Sequence, residues 1–152
     1  MRISRASAYA IGAMLQLVDA PTGVPVPCSR LAKSGEMPER FLLQVLRQLV
    51  NSELLKSTRG VDGGYSLARP AKEISLLQIL EATDGTVTPE LPPLECIPRA
   101  AQVHLQEMLR RVTADACRQL SGVSLADLPK PKVDAEEFSL PKLSSQNKPQ
   151  DN

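Results

Sequence analysis

The side chains best suited to redox or metal chemistry in this sequence are Cys28, Cys96, Cys117 and the single histidine, His104. The three cysteines lie far apart and are odd in number, which argues against a disulfide framework. His104 has no serine or cysteine partner at a spacing that suggests nucleophilic catalysis. Gly60–Gly64 lacks the Lys-Ser/Thr of a phosphate-binding loop, and no dinucleotide fingerprint is present. The residues therefore point away from an enzyme.

A second set of residues carries a different chemistry. Between Arg40 and Lys72, six basic residues (Arg40, Arg47, Lys56, Arg59, Arg69, Lys72) meet two acidic ones, Glu53 and Asp62, a local excess of +4 in a chain whose net charge is only +1. A concentrated basic face attracts phosphates because binding releases condensed counterions. Glu39, Arg40, Gln44, Arg47 and Gln48 share the polar face of one helical stretch, and arginine and glutamine can read base edges in a major groove. Leu43 is expected to point outward too, where it could touch a thymine methyl. Arg59 precedes Gly60-Val61-Asp62-Gly63-Gly64-Tyr65, and such glycines let a backbone turn sharply and approach another surface. That places Arg59 at the base or tip of a hairpin, suited to a narrow minor groove.

These residues need elements to hold them. Residues 4–19 fit an amphipathic helix capped by Ser4, with Tyr9, Ala13 and Leu17 on one stripe. Pro21–Pro27 reads as a turn-rich linker. A short helix at Cys28–Lys33 ends at Ser34-Gly35. Pro38 opens the next, which runs to about Ser52 with Phe41, Leu42, Val45, Leu46 and Leu49 as its apolar stripe. Two helices joined by a short glycine-bearing turn form a helix-turn-helix. The period then changes: a strand at Leu54–Arg59, a tight turn at Gly60–Gly64 and a returning strand at Tyr65-Ser66-Leu67 form a wing. Ser75 caps a helix over Leu76–Asp84, closed by Gly85. A proline-rich loop precedes the longest helix, about Arg99–Leu120. There Leu105, Met108, Leu109, Val112, Ala116 and Leu120 line one side as a candidate dimerisation face, and a stub at Val123–Leu128 folds back on the body.

The fold class is thus mainly α with a small β-hairpin wing. A winged helix-turn-helix DNA-binding domain spans 1–85, a loop 86–98, a dimerisation helix and stub 99–128, and a tail expected to be disordered 129–152. With 42% hydrophobic residues but only 3% aromatic ones, the core must be aliphatic. No stretch of about 18 apolar residues could span a bilayer. The N-terminus, despite two early arginines, reads as a mature helix rather than a signal peptide, so the expected location is the cytoplasm.

The Met-Arg-Ile-Ser start with Tyr9-Ala10, the run Arg40–Leu46, and above all Leu54–Pro70 with its Arg-Gly-x-x-Gly-Gly-Tyr wing resemble the bacterial Rrf-type winged-helix regulators. Ile74–Gly85 and Ser124–Leu128 also fit, so the likeness covers roughly residues 1–128. The resemblance implies a homodimer, crossed through the long helix, that binds a roughly palindromic double-stranded operator and acts as a repressor. It implies DNA contacts from Arg2, Ser4 and Arg5, from Glu39, Arg40, Leu43, Gln44, Arg47 and Gln48, and from Lys56, Arg59, Gly60, Gly63, Gly64 and Tyr65. Family members that hold an iron–sulfur cluster crowd three cysteines into the loop before the long helix; here that loop keeps only Cys96. One cysteine and His104 cannot complete a cluster within a chain, although two subunits could supply four ligands. The expectation is therefore a regulator with no cofactor and no metal site, in which Cys96 and His104 are the candidate redox or sensor residues. Its signal would be a thiol oxidation, a small ligand or a protein partner. Leu43 stands where some relatives carry an acidic residue, and Pro27-Cys28 where a Ser or Thr cap is usual. The competing reading is a protein-interaction module that keeps the fold without binding DNA.

Overall fold

A computed structural model describes residues 3–21, 23–89 and 96–129. The chain forms five α-helices and one antiparallel hairpin among these residues: α1 (Arg5–Asp19), α2 (Cys28–Ser34), α3 (Glu39–Asn51), β1 (Leu55–Thr58), β2 (Gly64–Leu67), α4 (Leu76–Asp84) and α5 (Arg99–Ser121). Short 3-10 turns lie at Ala71–Glu73 and Leu125–Asp127. This is the mainly helical, winged architecture that the sequence predicts. Arg2 and the tail from Lys130 onward lie outside the described residues, so the expected N-terminal contact and the expected disorder do too.

Ser4 caps α1 by accepting from the Ser7 amide at 3.0 Å. The buried stripe of α1 is Ala10, Ala13, Met14 and Leu17, which keeps the expected Ala13 and Leu17 and adds Ala10 and Met14. Tyr9 is only half-buried and meets Phe41 edge-on, with ring centroids 5.7 Å apart. Small side chains at Ala10 and Ala13 let the backbone of α1 lie close to α3 and α4. Around them Met14, Leu31, Leu42, Leu46, Leu49, Leu54, Ile74, Ile79 and Leu125 form one aliphatic core. Phe41, expected on the core stripe of α3, is instead about a third exposed, at the rim of the core.

Two short pairings close the molecule. Val26 donates to the Tyr65 carbonyl at 2.8 Å and accepts from the Tyr65 amide at 2.9 Å, which adds a one-residue third strand to the wing. One residue of the segment expected to be a linker therefore bridges to the hairpin. The prolines explain how: Pro25 and Pro27 have no N–H to donate, but only Val26 needs to pair, and such residues suit an edge. At the other end, the Leu125 amide donates to the Ile74 carbonyl and the Leu76 amide to the Val123 carbonyl, both at 2.8 Å. The stub thus folds back as expected, and Leu125 enters the core.

The helix ends follow local rules. Ser75 and Gln78 form a reciprocal capping box on α4, and Gly85, at φ +84°, ends it. α5 has no fully buried residue. Cys117 is half-exposed along with Ala116 and Leu120.

A polar network joins the start of α1 to the end of α4. Asp84 accepts from the Ser4 hydroxyl and, at 2.8 Å, from the Ser7 hydroxyl, while Ser7 and Thr83 share a 2.6 Å hydroxyl contact. Ser7 is fully buried, so these bonds satisfy a group that would otherwise be costly to desolvate. Partial burial raises the Asp84 pKa, but the bonds from Ser4 and Ser7 outweigh it, leaving the carboxyl below its ordinary 3.8. A depressed folded-state pKa means the stabilisation is present above the unfolded value and is lost as pH falls through the folded one. Asp84→Asn should lower the thermal midpoint modestly at neutral pH, with the gap to wild type shrinking below the ordinary carboxylate pKa of about 4, as followed by circular dichroism. An equal gap at every pH would show that the carboxylate charge is not what matters.

Candidate nucleic-acid interface

The helix-turn-helix is set by a compact turn. The Gly35 amide donates to the Leu31 carbonyl at 3.0 Å and the Met37 amide to the Ala32 carbonyl at 2.8 Å, with Glu36 in the left-handed region at φ +51°. Met37 is buried beneath it. The Pro38 carbonyl accepts from the Phe41 and Leu42 amides and so starts α3. On α1, the Gln16 amide group donates to the Leu31 carbonyl at 3.3 Å, which ties the first helix to α2.

α3 then divides cleanly. Leu42, Val45, Leu46 and Leu49 are buried, and each fully buried side chain of this size contributes roughly 1.5–3 kcal/mol. That anchoring fixes the opposite face, where Glu39, Arg40, Gln44, Arg47 and Gln48 are all exposed. Leu43 is half-buried at the edge of this face rather than projecting fully from it. Ser4 is half-buried and committed to the cap and to Asp84, whereas Arg5 is exposed at the first position of α1.

The wing stands beside α3. Its register pairs Leu55 with Leu67, Lys56 with Ser66, Ser57 with Tyr65 and Thr58 with Gly64. Gly64 therefore belongs to the returning strand and not to the turn. A Cβ on it would sit 2.5 Å from the Val26 carbonyl group, so only glycine lets Val26 pair with Tyr65. The turn itself runs from Arg59 to Gly63, whose amide donates to the Gly60 carbonyl at 3.1 Å; Gly60 adopts φ +115°. Arg59 and Lys56 are exposed, and Val61 at the tip is entirely bare. Arg40, Arg47, Lys56 and Arg59 have no ion-pair partner among the described residues.

Wing and reading helix meet at a cluster that motif spacing does not reveal. The Cys28 thiol donates to the Glu39 carbonyl oxygen at 3.9 Å. Burial, and then the Glu39 carboxylate, push the thiol pKa up, so Cys28 stays protonated at neutral pH and is a poor nucleophile. Burial first, and then the neighbouring Cys28, raise the Tyr65 hydroxyl, while Arg47 acts in the opposite sense. Cys28 at the head of α2, Glu39 and Arg47 on α3, and Tyr65 on the wing thus occupy one electrostatic neighbourhood. The sequence signal for it is the Val26–Cys28 segment, which the prolines disguise.

The structure does not bring the candidate sensor residues into a ligand set. Cys96 is exposed ahead of α5 and His104 is exposed on it. Among the described residues, no three His, Cys, Asp or Glu side chains converge as a metal site. The expected dimer face divides in two: Leu105, Met108, Leu109 and Val112 are exposed, whereas Ala116 and Leu120 are partly covered; Val103 is exposed too, but on the opposite side of α5. No helix among the described residues is long and apolar enough to cross a membrane.

Residues 3–131 match the family model Rrf2, described as an iron-dependent transcriptional regulator. The chain is 42% identical over 85 residues to a protein of Mycobacterium tuberculosis (strain H37Rv) assigned as an HTH-type transcriptional regulator, covering 56% of this chain and 53% of that one. It is 29% identical over 89 residues to the HTH-type transcriptional regulator CymR of Bacillus subtilis, covering 59% and 64% respectively. This chain thus spans about half the length of its Mycobacterium relative. The structure of CymR from B. subtilis superposes with a TM-score of 0.67 at 24% identity, covering 84% of this chain and 95% of that one, and so shares its fold. Fold, wing motif and family match agree: the chain belongs to the Rrf2 family of transcriptional regulators, whose members are regulators and not enzymes.

Proposed function

We propose that the chain is a homodimeric, cytoplasmic DNA-binding repressor that reads a roughly palindromic site without an iron–sulfur cluster. The observation that carries this reading is the exposed α3 face of Arg40, Gln44, Arg47 and Gln48 beside the wing-tip Arg59, with no acidic partner among the described residues neutralising the arginines. In this reading α3 enters a major groove, with Gln44, Arg47 and Gln48 directed to base edges and Arg40 to phosphate. Glu39 at the first turn of the same helix disfavours phosphate next to it, and helps set register. Arg59 reaches a neighbouring minor groove, and Lys56 and Arg5 lie along the backbone path. Leu43, half-buried at the edge of the face, offers an apolar contact to a thymine methyl. Gly60, Gly63, Gly64 and Tyr65 act by shaping the wing; an operator held this way is closed to other proteins.

Support for the dimer comes from α5. Leu105, Met108, Leu109 and Val112 are exposed on one side of a helix that fully buries none of its residues within its own chain. A second copy of the same stripe is the symmetric way to cover it, and two protomers then present two α3 helices to two half-sites.

Titration with random-sequence duplex DNA at several salt concentrations tests the first part. Wild type should bind with a steep salt dependence. The double variant Arg47→Ala, Arg59→Ala should bind about tenfold or more weakly, with a salt slope shallower by about one unit for each phosphate it no longer neutralises. Wild-type protein that shows no salt-dependent binding would establish the interaction-module reading instead.

Purification without oxygen, with light scattering, iron assay and a visible spectrum on one sample, tests the second part. The expected protein is colourless, free of iron, and twice the 16.5 kDa chain mass. Val112→Asp should return it to a monomer. A brown protein with stoichiometric iron would mean that Cys96 and His104, or the other cysteines, hold a cluster across two subunits.

A further inference from the structure

Behind the wing lies a cavity of about 460 Å³, between the C-terminal end of α1, residues 20–21 and 23–24, the end of β2 and residues 68–71. Its size is that of an ordinary small-ligand site. Leu17, Val18, Val24, Leu67 and Pro70 give it apolar walls, and among the described residues Arg69 is the one charged group on the wall, with no acidic residue beside it there. Arg69 is also incompletely satisfied: its Nε is buried without a hydrogen-bond partner. A guanidinium N–H shut away from water with no acceptor is an unfavourable arrangement in an interior. Arg69 borders a smaller recess on its other side with Gln78 and Glu81, yet forms no ion pair with Glu81.

From this geometry we infer that the cavity is a binding site for a small carboxylate with an apolar tail, whose head group pairs with Arg69. The apolar walls take up hydrocarbon, a planar guanidinium matches a carboxylate in shape and charge, and a wall without carboxylates holds no attraction for a cation. A neutral molecule of the same shape would gain the walls but not the charge. The site lies against β2, the strand that carries Tyr65, although carboxylate binding itself does not depend on the DNA-binding reading.

The test uses the whole chain without DNA, with hexanoate, 1-hexanol and hexylammonium compared by isothermal titration calorimetry at matched ionic strength. Hexanoate should bind saturably and raise the thermal midpoint, hexanol should bind about tenfold more weakly, and hexylammonium should give no saturable signal. Arg69→Gln should erase the preference for hexanoate over hexanol. Val24→Trp, at an exposed position on the wall, should block both ligands, and it keeps the test sound if the Arg69 variant does not fold. Absence of saturable hexanoate binding to wild type, equal affinity for hexanoate and hexanol, or a preference that survives Arg69→Gln would each overturn the assignment.

Discussion

The paired hydrogen bonds between Val26 and Tyr65 are the joint on which the arrangement depends. A wing is useful only if its angle to the reading helix is defined, and a two-stranded ribbon alone is marginally stable and free to twist. Val26 sits two residues ahead of α2, so pairing it with β2 ties the hairpin to the helix-turn-helix at its root. The bare Cα of Gly64 permits the approach. The Cys28 thiol, the Glu39 carbonyl and Tyr65 then fill the corner, and Arg47 enters the same electrostatic neighbourhood. The bond partners and the absent side chain therefore act together; remove one and the other loses its purpose.

Charge works with this frame through placement rather than total amount. A chain of net charge +1 offers little general attraction to a polyanion. Its exposed arginines sit instead on the face of α3 that the Leu42–Leu49 stripe holds outward, and on the wing tip whose turn keeps Arg59 in solvent. Surface arginines of this kind do little for stability, since even formed surface pairs contribute only about 0–1 kcal/mol. Their positions make sense as a surface prepared for something else.

Much of the scaffold was legible because local rules were obeyed one residue at a time. Ser4, Ser75 with Gln78, Pro38, Gly35 and Gly85 mark helix ends through the hydrogen bonds and dihedral angles they permit, and each helix begins and ends close to them. The polar face of α3 was legible from its 3.6-residue period. What escaped was long-range. Val26 makes one pairing between two prolines, too short to produce an alternating pattern. Phe41 satisfies the period of a core residue, yet it sits at the rim, meeting Tyr9 edge-on. The half-exposure of Cys117 and the unsatisfied Arg69 Nε depend on which surfaces happen to meet, and no spacing rule encodes that.

The latch formed by Leu125 and Ile74 bears on how the molecule comes into being. Its two sides are separated in sequence by the whole of α4, the loop and α5, so it closes one of the longest loops in the chain and bears the entropy of doing so. The core of α1 to α4 cannot be sealed until the segment after Gly122 has been made. During synthesis, a ribosome that stalls or terminates within α5 would release a body with an open side, exposing Ile74 and its neighbours. Among the described core residues, Leu125 is the last to be made, so closure of the body waits on it.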